Sequence, residues 1–291
     1  MSSAVNAVPG GPKQDSFAWP VVAWFGALIV ACYAPIIVAL FNNWGSDDDM
    51  GHGYFVPVIA GYIVWLKKDE LLKLVPKPNW WGLAIILYGA VQLYIGTLGA
   101  ELFLSRTAMV ITIMGAVLFV GGNKIFKELA FPMFLLFLMI PIPAVVYNQI
   151  TFPLQIKASE AADFALNLIN IPVLREGNVL ELPSQRLSVV EACSGIRSLL
   201  TLTFLALVYG YFFETRVWVR AVLFFSTIPI AIAANAGRVT LTGILSEIKP
   251  EYAEGFFHEF SGWVIFMIAL AIMVAFHQAI TKGLARLHAR K

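Results

Sequence analysis

Eight stretches of this chain are apolar for about the length that a bilayer core demands of a helix, roughly 20 residues. They run over 19–41, 53–66, 81–98, 103–121, 125–146, 196–213, 217–236 and 259–280, each closed off by charge, proline or glycine. Lipid offers no partner for a bare peptide group, so segments like these are compatible with helices and little else. The charged fraction agrees: 13% of residues, against about 25% in a soluble domain. The expected fold is an all-α polytopic membrane protein of about eight transmembrane helices, with the lipid bilayer as its first partner. The run 53–66 is the shortest, and such a length also suits a re-entrant segment. Lys67 and Lys68 can snorkel and extend it, which favours a crossing.

Residues 1–18 are polar and rich in small residues, without a basic segment, apolar core and cleavage site in series. They are expected to be a disordered tail ahead of a single membrane-embedded domain, 19–291. Most Lys and Arg residues fall in the tail, 67–80, 122–128, 214–220 and the C-terminal end. By the positive-inside rule these lie in the cytoplasm, as do both termini. A net charge of +2 carries no nucleic-acid footprint. The stretch 147–195 is then an outer-face insertion before the sixth span. Pro153 to Asn170 is expected to form a helix lying in the interface. Arg175-Glu176-Gly177-Asn178 reads as a turn, and Val179–Leu182 and Arg186–Val190 as a β-hairpin around Pro183-Ser184.

Chemistry concentrates where this insertion ends, in Glu191-Ala192-Cys193-Ser194-Gly195-Ile196-Arg197. Ser194 and Gly195 resemble a helix start, so the thiol of Cys193 lies at or just before the positive end of a helix dipole, which favours thiolate. The alternative is a small buried hydrophobe, the reading that fits Cys32. No C-x-x-C is present, and the two cysteines sit at different depths, which excludes neither thiol chemistry nor packing but argues against a dithiol role. Arg238 follows Asn235-Ala236-Gly237 at the end of the seventh run. It either binds an anion through its rigid fork of donors or complements a helix C-terminus. Arg197 competes for that role from the same helical face as Cys193. His258 opens the last run and is either a proton carrier, oriented by Glu259 or Glu191, or an ordinary member of an aromatic belt, the reading that fits His277 and His288. The orientation puts Cys193, Arg238 and His258, from three separate loops, on the outer face. His52, beside Asp47-Asp48-Asp49, gives at most weak support for a metal site; no metal and no cofactor is expected.

The ordered set Glu191–Arg197, Asn235–Arg238 and His258 with Ser261-Gly262-Trp263 resembles the exosortase/archaeosortase family. His52-Gly53-Tyr54-Phe55-Val56-Pro57 looks like that family's early motif, and Arg175–Pro183 like the stretch ahead of its cysteine. The resemblance implies a bacterial inner-membrane cysteine peptidase or transpeptidase of the short form, without a fused C-terminal domain, in an exopolysaccharide-associated sorting system. Its partners would be secreted proteins with a C-terminal sorting signal: a Pro-Glu-Pro-like (PEP-CTERM) motif, a transmembrane helix and a basic tail. Carried onto matching positions, the family roles make Cys193 the nucleophile, Arg238 the stabilising cation and His258 the acid/base. Histidine at the third position fits the bacterial branch, since archaeosortases place arginine there. Glu128 and Glu214 are the acidic candidates to meet the substrate's basic tail. Two other readings keep the same fold: a non-enzymatic transporter or export component, and a thiol acyltransferase acting on a lipid or glycan.

Overall fold

The computed structural model describes residues 19–189, 195–253 and 255–289. The chain divides into two compact units after Pro141. In the first, α1 (Trp19–Ser46) is followed by a 3-10 turn (Asp48–Tyr54), α2 (Phe55–Leu66) and the short α3 (Lys68–Leu71). Then come α4 (Trp81–Leu98) and α5 (Leu102–Leu135). α1 buries Tyr33, Leu40 and Trp44, one stripe of a helix whose other faces are apolar and open, as lipid contact requires.

Glycines set the α4–α5 pairing. Gly82, Gly89 and Gly96 recur every seventh residue and face the α5 backbone so closely that a Cβ would strike Phe119, Thr112 and Ser105 in turn. Without a hydrophobic drive between helices in lipid, such close approach is what holds them. α5 breaks at Gly122, whose φ of 77° suits glycine alone, and the Lys77 carbonyl fills the space a Cβ would need. The chain thereby doubles back. Lys67 pairs with Glu128 at 2.7 Å, and Asn79 bonds Asn123 at the same end.

In the second unit α6 (Ala144–Leu168) leads to a three-stranded antiparallel sheet, β1 (Leu174–Glu176), β2 (Val179–Glu181) and β3 (Arg186–Ser188). Then follow α7 (Gly195–Phe213), α8 (Val217–Ile248), a 3-10 turn (Pro250–Ala253) and α9 (Gly255–Ala289). Glu176 pairs with Val179, so Gly177-Asn178 is a two-residue loop with positive φ at its first position, the type II′ pattern. Two cores result. One joins Ala162 and Leu166 of α6, Leu180 and Leu187 of the sheet, Val189 and Val239 of α8. The other packs α7, α8 and α9 through Leu202, Ala206, Leu223, Ala269 and Met273. Ser159 Oγ donates to the Gly177 carbonyl and the Ser184 amide to Glu247, strapping the sheet between α6 and α8.

Among the described residues five helices are long and apolar enough to cross a membrane: Trp19–Ser46, Trp81–Leu98, Leu102–Met139, Val217–Ile248 and Gly255–Leu287. Arg197–Phe213 is shorter, as is α2. The chain is thus an all-helical membrane protein with a small sheet, while a count of eight crossings is not fixed by helix length. Other expectations shift. Pro141 and Pro143 stop the fifth apolar run near Met139: each proline disfavours a helical residue before it, and two of them one residue apart also remove two backbone donors. The next helix begins at Ala144, well before Pro153. Arg175 and Glu176 belong to a third strand that the hairpin reading took as a turn. Cys32 is exposed on α1 rather than packed inside.

Candidate active site

α8 runs ten residues past Arg238, since nothing breaks it before Lys249-Pro250. Arg238 is therefore inside a helix, and the reading of it as a cation at a helix C-terminus fails. With Asn235 and Thr242 it forms one face of α8, at spacings of three and four residues. The 3-10 turn after α8 folds α9 back, and His258 in its first turn meets that face. Arg238 Nη2 lies 2.8 Å from His258 Nε2. A guanidinium only donates. Nε2 is therefore the acceptor, the ring is neutral, and its proton sits on Nδ1.

One turn further along α9, Gly262 backs the pair. A Cβ there would stand 2.9 Å from Arg238 Cζ and 3.0 Å from Nη2. The guanidinium rests on the α9 backbone in the space that the missing side chain leaves. Ser261 Oγ donates to the His258 carbonyl and tightens that first turn.

The cluster leaves polar atoms unpaired. Asn235 Nδ2, Arg238 Nε, Thr242 Oγ1 and His258 Nδ1 are buried with no hydrogen-bond partner among the described residues. The Ala253 backbone is near the ring but not in hydrogen-bonding geometry. These four are the unsatisfied buried side-chain atoms of the second unit's described residues, and they come from one face of α8 and the turn against it. Each such atom costs about 1–3 kcal/mol. Three of them are N–H donors, and such a group left unpaired is arranged to receive an anion or a developing negative charge.

Cys193, Glu191 and Ser194 lie outside the described residues. Their neighbours on either side approach the cluster. Val189 is fully buried in the core that contains Val239, the residue after Arg238. Arg197, in the first turn of α7, is exposed and its charge reaches His258. Glu259 is exposed and also within electrostatic reach, yet the ring's partner is Arg238. The structure thus brings together Arg238, His258 and Asn235, with Arg197 and Glu259 at the margin.

His52 belongs to the first unit, buried in the 3-10 turn with Nε2 3.2 Å from the Leu138 carbonyl. Burial holds its pKa below the usual imidazole value. Trp44 Nε1 donates to the neighbouring Met139 carbonyl, so both side chains pin the 3-10 turn (Leu136–Met139) that follows α5. Among the described residues no three His, Cys, Asp or Glu side chains gather as a metal-holding group.

A second cluster went unread in the sequence. Glu214 is buried between α7 and α8 and takes Arg216 in a two-pronged pair, Nε to Oε1 at 2.9 Å and Nη2 to Oε2 at 3.1 Å. His277 Nε2 stands 3.3 Å from Oε2, and Tyr209 closes the other side of that ring at 3.0 Å. His277 is buried, not part of an interfacial belt. An ionisable residue inside an apolar run, as His277 is in 259–280, is the signal that marks it. The Arg216 side chain holds the Glu214 carboxyl down at about 2. Glu214 and Glu128 are both engaged with cations of this chain, so neither is a free carboxylate for a substrate's basic tail.

Residues 44–275, most of the chain, match the family model described as transmembrane exosortase. No curated protein and no solved structure matches it.

Proposed function

The chain belongs to the transmembrane exosortase family, and from that premise we propose that it is a membrane-embedded cysteine peptidase or transpeptidase. Its substrates are secreted proteins carrying a C-terminal motif of the Pro-Glu-Pro kind, a transmembrane helix and a basic tail. The observation that carries this reading is the set of buried, unpaired donors around Arg238 and His258, approached by Val189 and Arg197, which flank Cys193 in the sequence.

The chemistry follows from the resting arrangement. Arg238 transfers its Nη2 bond from His258 to the sulfur, which frees Nε2 to take the thiol proton. The products are a thiolate beside a guanidinium and an imidazolium. Sulfur attacks the scissile carbonyl carbon, forming the C–S bond while the carbonyl electron pair moves onto oxygen. Collapse re-forms the carbonyl and breaks the C–N bond, and the imidazolium gives its proton to the leaving amine. His258 is neutral again, ready to deprotonate water or an acceptor amine that resolves the thioester.

Orientation and span count are part of the proposal. At one end of the first unit lie Lys67, Lys77, Lys124 and Lys127, joined by the Lys67–Glu128 pair and the Lys77–Gly121 backbone bond. That end is cytoplasmic by the positive-inside rule. Counting the two arms of α5 on either side of Gly122 with α2 and α7 gives eight crossings. The site then faces the periplasm and both termini the cytoplasm of the inner membrane.

The test is processing of a tagged reporter bearing such a tail, co-expressed with the wild type or with Cys193→Ala at equal membrane abundance. The reading expects shortening with the wild type and none with the variant. Equal shortening by both removes the thiol from the mechanism.

A further inference from the structure

We infer that Asn235 is a further catalytic residue, whose side-chain amide donates to the carbonyl oxygen of the scissile bond as that oxygen becomes negative. The inference rests on the cysteine-peptidase reading and assigns it a second donor. Asn235 lies one turn before Arg238 on the same face of α8 and is only 6% exposed. Its Nδ2 is enclosed and makes no hydrogen bond among the described residues. An amide buried that way on a long helix is out of place, for asparagine is a weak helix former that favours caps and turns.

Thr242, the other uncharged group of the cluster, differs. A hydroxyl can rotate onto the carbonyl four residues back in its own helix, so it needs no ligand to be satisfied. An asparagine NH2 can also reach the carbonyl four residues back, as Asn167 does with Asp163 in α6, but Asn235 Nδ2 makes no such bond and is left to a partner from outside α8. Arg238 cannot be that partner, because it offers donors only. Asn235 Nδ2 and Arg238 Nε are unpaired donors one turn apart on the same face of α8, and the partner either can take is an accepting oxygen or sulfur. During attack two such atoms exist at once, the reacting sulfur and the carbonyl oxygen. Arg238, already on His258, is placed to follow the thiol proton. Asn235 is left for the oxygen, where a fixed donor that strengthens as charge develops accelerates the step.

Asn235→Asp tests this in the full-length protein in liposomes with a fluorescent tail peptide. The variant keeps the shape and replaces the NH2 donor with an acceptor. Near neutral pH, turnover falls about 10²–10³-fold with KM little changed, the loss seen when one such donor is removed. Relative to wild type, activity recovers as pH falls and the introduced carboxyl gains a proton it can donate. A small alkylating reagent labels Cys193 equally in both, which reports an intact site. Wild-type turnover by Asn235→Asp at neutral pH, or a variant-to-wild-type ratio that does not change with pH, overturns the inference. Cys193→Ala is run alongside: if it too turns over peptide, the failure belongs to the peptidase reading and not to Asn235 alone.

Discussion

α8 and α9 carry two arginine–histidine clusters, one near each end of their contact, and the same side-chain chemistry is closed in one and open in the other. At Arg216 and His277 a buried carboxylate, Glu214, takes both partners, and backbone amides of Thr215 and Arg216 fill its remaining capacity. At Arg238 and His258 no carboxylate is present among the described residues' contacts, the arginine bonds the histidine itself, and N–H donors are left over. A buried charge with its full set of partners fixes structure, and removing a partner is expensive. A buried set of donors without acceptors is poised for a ligand, because the acceptor arrives with the reaction. The difference separates a lock from a site more sharply than the presence of ionisable residues does.

The largest effect expected is the one that sets the two clusters apart. Arg238→Ala lowers processing at least about 10²-fold, since the cation on the reacting sulfur is lost, while the thermal midpoint in detergent holds or rises. Glu214→Ala takes the carboxylate from buried His277 and from Arg216, which is partly exposed, and destabilises the fold, lowering abundance and melting temperature together. Measured side by side, an Arg238→Ala protein that melts as early as Glu214→Ala would mean that both clusters are structural.

How legible this was in the sequence varies by residue. Apolar runs separated by charge marked the helices, because bilayer thickness sets their length regardless of neighbours. Arg238 and His258 stood out as ionisable groups beside such runs and as parts of an ordered motif set. Their 2.8 Å contact did not: it depends on the sharp turn at Pro250–Ala253 and on α8 continuing to Ile248, and an Asn-Ala-Gly sequence reads locally as a helix end. The start of α6 and the third strand were missed for related reasons. Pro141 and Pro143 act on the backbone before them, and β1 exists only through its pairing with β2. His277 was dismissed because its carboxylate partner is 63 residues away, a distance that local pattern cannot bridge.

Gly262 and Gly237 sharpen the comparison at smaller amplitude. A methyl at Gly262 meets the Arg238 guanidinium at 2.9 Å, whereas one at Gly237 finds only Ile265 Cδ1 at 3.8 Å, an ordinary contact. Gly262→Ala displaces the cation by a fraction of an ångström and reduces turnover about tenfold, in keeping with the sensitivity of catalysis to small misplacements. Gly237→Ala, in the middle of α8, is neutral or slightly stabilising, as alanine is in a helix. Parallel turnover assays at matched abundance decide it: equal rates for the two variants would show that the position of the guanidinium does not matter.

The smallest effect concerns pH and belongs to the closed cluster. The Glu214 carboxyl is held at about 2, chiefly by Arg216, below its ordinary value of 4.5. A carboxyl whose pKa is lower in the folded state stabilises the fold fully above its unfolded value, and that stabilisation is lost as pH falls through the folded value. Comparison with Glu214→Gln isolates the contribution, because the amide keeps the shape and an acceptor oxygen without the charge. Above about pH 5 the wild type exceeds the variant in denaturant resistance by a constant margin. Between about 4.5 and 2 the margin narrows, since protonation then removes the same charge that the substitution removes. Unfolding of both proteins in detergent across that range measures it. A margin that stays constant down to pH 2 would assign the role of Glu214 to its hydrogen bonds rather than its charge, and would weaken the contrast with the open cluster, where cationic donors wait for a negative partner.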